Sequence, residues 1–200
     1  MKIDRRYFIL DIISELKPNV IIDIGTHNGI FSAMMIAAAG ENIEYWGFDL
    51  WDDISDDQIR SEFLYPKDIA SYQEAKQNIK RVLSEEKIHL VRGNTNSTLQ
   101  SSSLPIADFI FIDGGHSAET IRSDWENCKR FMNHDTIVIF DDYWHGRTEE
   151  GCADIVDNIS DEYEVSIFGK NNFVNELSRN MGIDMLRISL VKVRLKNGTS

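Results

Sequence analysis

The chain has 200 residues, 42% of them apolar, and 33 acidic against 21 basic side chains give a formal net charge of −12. That size and apolar content suit one packed domain over residues 1 to 200, and no Lys/Arg-rich stripe interrupts the negative charge, which argues against nucleic acid or an anionic membrane as partner and leaves small molecules. Cys128 and Cys152 lie far apart with no metal-binding or disulfide spacing, so reduced thiols and a cytoplasmic location are expected.

MKIDRRYFILDIISELKP starts basic, but Asp11 and Glu15 interrupt its apolar run. An amphipathic first helix is expected there, rather than a secretory signal. The longest apolar stretch, IFSAMMIAAAG, is about half the length of a membrane-spanning helix. Five short runs, VIIDIG (20 to 25), IEYWGFDL (43 to 50), IHLVRG (88 to 93), ADFIFIDG (107 to 114) and TIVIFDD (136 to 142), are apolar at nearly every position. Strands buried on both faces of a parallel sheet look like this.

Helical patterns at 29 to 39, 67 to 86 and 117 to 132 lie between them. The alternation predicts an α/β fold with a doubly wound, Rossmann-like sheet that is mostly parallel, whose ligands bind beyond the carboxyl ends of the strands. After residue 147 the rhythm changes to a helix near 148 to 159, a strand near 162 to 168, a polar loop over 169 to 183, and a strand near 186 to 195. The last two strands are expected to close the sheet as an antiparallel pair. WDDISDDQIRSEFLYP, residues 51 to 66, is the least regular stretch and a candidate lid.

IIDIGTHNG joins the first strand to a helix through a glycine-punctuated loop, the place where α/β proteins hold nucleotide-like cofactors. A dinucleotide loop needs glycine two and five places after the first, and those positions are His27 and Ile30. The pyrophosphate reading weakens, and no GKS or GKT marks a P-loop. A ligand without phosphates tolerates side chains there. The spacing D-x-G-x-x-x-G resembles the first motif of the class I S-adenosylmethionine-dependent methyltransferases, with Asp23, Gly25 and Gly29 matching and His27 in the variable place.

Asp49 lies 24 residues past Gly25 at the end of the second strand, where a carboxylate accepts hydrogen bonds from ribose hydroxyls, a contact that fits NAD equally well. Leu50 and Trp51 are positioned to cover an adenine, and Asn94 to meet its amine. Thr26 and Thr95 complete the expected cofactor contacts, together with Asp113. Taken singly, the glycines read as turn residues, Asp49 as a cap and Trp51 as core.

Asp113 ends the fourth strand, and Asp141 and Asp142 end the fifth, 28 and 29 residues later. On neighbouring strands these carboxylates converge, and two of them about 4 Å apart repel by about 4 kcal/mol at an effective dielectric near 20. Either a hard divalent cation such as Mg2+ offsets this, or the acids cap the following helices. D-G-x-H after strand four, Asp124 in the next helix, and F-D-D after strand five resemble the metal-dependent small-molecule O-methyltransferases of the macrocin and sugar-modifying type. The three acids are also similar to those of catechol O-methyltransferase.

The similarity spans roughly residues 18 to 145. It implies Asp113, Asp141 and Asp142 as metal ligands, His116 as base beside Asp113 in the catalytic centre, and S-adenosylmethionine with Mg2+ as cofactors. The sequence departs from the catechol type where that motif reads Gly-Tyr-Ser. Here Gly29, Ile30 and Phe31 stand, with Ser32 one place late.

His145, after Tyr143 and Trp144, is a second candidate base. The expected reaction is methylation of a hydroxyl on a sugar, natural product or phenol. The alternatives are an NAD-dependent oxidoreductase on a similar fold and a non-methylating relative. A homo-oligomer stays open.

Overall fold

The computed structural model describes residues 6–55, 57, 69–173 and 186–196. Seven strands form one sheet in the order β3-β2-β1-β4-β5-β7-β6. β1 (Val20–Ile24), β2 (Glu44–Asp49), β3 (Ile88–Arg92), β4 (Phe109–Ile112) and β5 (Ile137–Trp144) run parallel. β6 (Tyr163–Phe173) and β7 (Leu186–Leu195) are antiparallel, with β7 paired to β5 and β6 at the edge. The expected α/β sheet with its antiparallel C-terminal closure is therefore present.

The strands are apolar on both faces because both faces are covered. On one side, Ile21, Phe109, Phe111 and Ile139 pack against α1 (Tyr7–Leu16), α2 (Ile30–Ala39) and α3 (Tyr72–Ile79). On the other, Ile22, Ile24, Ile110, Ile112, Val138 and Phe140 meet α4 (Thr95–Ser101), α5 (Ala118–Cys128) and α6 (Ala153–Asp157). Alternate residues of one strand feed the two cores, as the twofold side-chain period requires. No helix among the described residues is long and apolar enough to cross a membrane.

Several boundaries differ from expectation. The helix expected over 67 to 86 spans Tyr72–Ile79, because the chain then tightens into i→i+3 bonds such as Val82 N–H to Ile79 O, 3.0 Å. The helix expected over 148 to 159 shrinks to Ala153–Asp157. The amides before it are used elsewhere, Gly151 N–H on His116 O at 2.8 Å and Cys152 N–H on Asp142 O at 3.1 Å. β6 continues to Phe173, into the stretch expected to be loop, and residues 174 to 183 lie outside the described residues.

α4 had no apolar pattern to announce it, and Asn94 caps it by accepting from Asn96 N–H at 2.9 Å. Of the candidate lid, residues 51 to 53 form a single tight turn, and residues 56 and 58 to 66 lie outside the described residues.

Candidate active site

β1 and β4 are the neighbours at which the strand order reverses direction, and such reversals open a crevice at the carboxyl ends. A cavity of about 270 Å³ lies there. Its walls come from the loop after β1 (Gly25, Thr26, His27, Asn28), from Phe31 and Ser32 of α2, from Asp113 and His116 after β4, and from Asp23, Asp142 and Arg6.

Packing dictates the turn after β1. Gly25 has φ +94°, and a Cβ there would stand 2.1 Å from the carbonyl oxygen of Asp113. Only glycine admits both the left-handed backbone and the close approach of β4. Gly29, φ +73°, abuts α3 in the same way, with the Ala75 oxygen 2.7 Å from where its Cβ would be. Asn28 Oδ1 accepts from Ile30 N–H at 3.1 Å, so the first amide of α2 is already engaged by the chain. That amide is one a pyrophosphate would need.

Asp23 is buried beneath this loop. It accepts hydrogen bonds from Ser32 Oγ at 2.6 Å and from the Tyr45 hydroxyl. Thr26 Oγ1 lies 3.2 Å from the same phenol oxygen. Burial pushes the Asp23 carboxyl from 3.8 up to about 6 despite those bonds, and burial likewise raises the Tyr45 phenol. Ser32, one place late in the motif, thus reaches the motif's acid.

Asp49 is oriented by two backbone amides, His27 N–H on Oδ2 at 2.6 Å and Trp51 N–H on Oδ1 at 3.1 Å. A carboxylate has about four acceptor sites, so two donors leave capacity for ribose hydroxyls. Trp51 is 2% exposed, packed with Ala70 and Ala75, edge-on to Tyr72 at 5.1 Å, and its indole N–H donates to His27 O at 2.7 Å. Its ring therefore braces the loop from inside. Asn94 and Thr95 start α4 beyond β3, and Leu50 is half-buried between Asp49 and Trp51. None of these three, nor Asp49 or Trp51, is among the residues that line the cavity.

Asp141 and Asp142 do not end β5 as expected, since the strand runs on to Trp144. They sit where its register with β7 slips between Phe140 and Tyr143. A bulge re-aims side chains, and Asp142 takes φ +57°. The two acids accordingly part. Asp142 Oδ2 lies 3.2 Å from His116 Nε2, whereas Asp141 joins Asp113 at Arg6, whose Nη2 is 3.0 Å from Asp113 Oδ2 and whose Nε is 3.8 Å from Asp141 Oδ2.

The expected three-ligand metal set is therefore not what these residues form. Among the described residues no group of three or more His, Cys, Asp or Glu side chains is disposed to hold an ion, and a guanidinium stands against two of the three acids. The residues do not fit Mg2+ as arranged.

Arg6 is the residue sequence reasoning missed, passed over as part of a basic start. Its role needs α1 to dock through Ile9 and Ile13, both fully buried, which sets the guanidinium 5.4 Å from the centre of the Phe31 ring. Tyr45 was likewise hidden inside an apolar strand. His145 is not among the residues that line the cavity, and its Nε2 lies 2.9 Å from Ser189 Oγ. Tyr143 donates to Asp157 Oδ1 at 2.9 Å, and Trp144 is buried. Gly114 abuts β1, its missing Cβ lying 3.3 Å from Ile24 Cγ2, so its lack of a side chain serves packing.

Comparison with known proteins agrees with this architecture. No curated protein matches the chain by sequence. Solved structures do match by fold. Cofactor-bound Rv0187 from MTB superposes with a TM-score of 0.65 at 12% identity, covering 98% of this chain and 81% of that one. The O-methyltransferase from Bacillus cereus in complex with SAH gives 0.59 at 13%, covering 96% and 80%. Precorrin-6y C5,15-methyltransferase from Geobacter metallireducens GS-15 gives 0.61 at 13%, covering 94% and 88%. A family profile described as a methyltransferase domain matches residues 22–143, the span from β1 through the bulge of β5, and the chain belongs to that family.

Proposed function

We propose that the chain transfers a methyl group from S-adenosylmethionine to a hydroxyl of a small molecule. The observation that carries this reading is the lining of the cavity, where three acids, Asp23, Asp113 and Asp142, share the walls with His116 and a single arginine, Arg6, at the Gly25 turn. S-adenosylmethionine supplies a methyl on a positive sulfonium, next to an ammonium group, and no phosphate. Acid-rich walls and a first amide of α2 already engaged by Asn28 suit such a cation better than a dinucleotide.

The residues divide the work. Asp49, held by His27 and Trp51, faces the ribose, and the Gly25 turn admits the chain of the cofactor close to the backbone. His116 takes the proton of the acceptor hydroxyl, and the Asp142 carboxylate 3.2 Å away offsets the imidazolium that results. The acceptor oxygen then forms its bond to the methyl carbon as the carbon–sulfur bond breaks, the electron pair staying on sulfur. Holding oxygen, carbon and sulfur in line is the main task of the walls. No step is routed through a divalent ion, because Arg6 stands against Asp113 and Asp141. The net charge of −12 favours a small neutral acceptor over nucleic acid.

Calorimetric titration with S-adenosylmethionine, its demethylated product and NAD tests the reading. The first two are expected to bind and NAD is not. Binding of NAD alone transfers the chain to the oxidoreductase class, and binding without turnover on any hydroxyl acceptor marks a non-methylating relative.

A further inference from the structure

Two acids on neighbouring parallel strands are brought to one rim of the cavity, and Asp141 has only 1% of its side chain exposed. Their charge needs an offsetting cation. Arg6 stands at that point, with separate nitrogens directed at Asp113 and Asp141, 3.0 and 3.8 Å away. A guanidinium keeps its proton at any working pH and presents donors in a planar fork that matches carboxylates. Arg6 is also held from behind. It opens α1, whose Ile9 and Ile13 are fully buried, and it lies over Phe31.

A hard divalent ion needs oxygen ligands at about 2.0–2.1 Å and a near-octahedral shell, so it cannot share the two acids with a guanidinium without displacing it.

We propose that Arg6 is the resident cation of this pocket, a positioning residue that holds Asp113 and Asp141 in place of a metal, so that the chain carries out its chemistry with no divalent ion bound. The activity part of the inference rests on the methyl-transfer reading. The binding part does not. The third acid, Asp142, is released from that duty and turned to His116. The β5 bulge and the docking of α1 together convert an acid triad into an arginine clamp and a histidine–aspartate pair.

The test is Mn2+ binding, followed by the loss of the free-ion electron paramagnetic resonance signal, to the wild-type protein and to Arg6→Met, which keeps an apolar stem over Phe31. Removing the like charge is expected to tighten Mn2+ binding by at least about tenfold in Arg6→Met, and Arg6→Lys is expected to return it to the wild-type level. Equal binding by wild type and Arg6→Met, or tighter binding by wild type, overturns the proposal. Should Arg6→Met fail to fold, the wild type decides alone. Its methyl transfer is expected to survive exhaustive chelation unchanged, and a rate that collapses and is restored by added Mg2+ overturns the proposal. Absence of any transfer, with or without metal, counts against the methyl-transfer reading and leaves the Mn2+ comparison standing.

Discussion

Gly25 and Asp113 occupy the same space from two strands: the carbonyl oxygen of Asp113 lies 2.1 Å from the position a Cβ on Gly25 would take. This contact closes the turn after β1 onto the end of β4 and so defines the floor of the cavity. Gly25→Ala faces both that clash, with backbone that cannot swing aside, and a left-handed φ of +94°. A loss of about 3 kcal/mol or more in stability is expected, since strain and overpacking each cost about 1–3 kcal/mol. Urea unfolding measures it, and a change under about 1 kcal/mol would mean that the loop relaxes freely.

Asp49→Ala removes the acceptor for the His27 and Trp51 amides as well as the expected ribose contact. Affinity for S-adenosylmethionine is expected to fall by about 10–100-fold, the size of one or two charge-assisted hydrogen bonds. Calorimetry on the folded variant checks this. Wild-type affinity would place the ribose elsewhere.

His116→Ala is expected to lower methyl transfer by about 10²–10⁴-fold while leaving cofactor binding intact, which is the usual contribution of a general base. Asp142→Asn keeps a hydrogen-bonding group 3.2 Å from the imidazole but loses the charge, so a smaller fall is expected. Product formation over a panel of phenols and sugars gives the rates. Undiminished turnover in His116→Ala would assign the proton to another acceptor.

Asp23 makes stability depend on pH. Its carboxyl is raised from 3.8 unfolded to about 6 folded by burial, so the folded state binds the proton more tightly. The associated stability is fully present below about pH 4 and is lost as pH rises through about 6. Asp23→Asn removes this dependence. Its stability relative to wild type is expected to improve between those limits by about 3 kcal/mol at most and to stay level above them. Denaturant titrations across that range test it, and a difference independent of pH would show that Asp23 is not the titrating group.

The sheet was legible because burial on both faces demands apolar residues at nearly every position, and the runs ending at Ile24, Ile112 and Phe140 meet that demand with Asp23 as the exception. Gly25 and Gly29 were legible for a related reason, since turns with left-handed backbone tolerate few residue types. The helix boundaries were less so. Residues 149 to 152 lie outside any helix because Gly151 and Cys152 donate to His116 and Asp142, partners distant in the chain.

What the amino-acid order determined by itself was therefore the alternation of strands and helices, the acidic rim and the glycine turn, all of which follow from local period and backbone preference. Tertiary structure alone decided that Arg6 faces Asp113 across 107 positions of chain, that Tyr45 meets Asp23, and that a bulge sends Asp142 to His116. Those pairings arise from docking and register. Electrostatic partnership depends on distance in space, and no spacing along the chain encodes it.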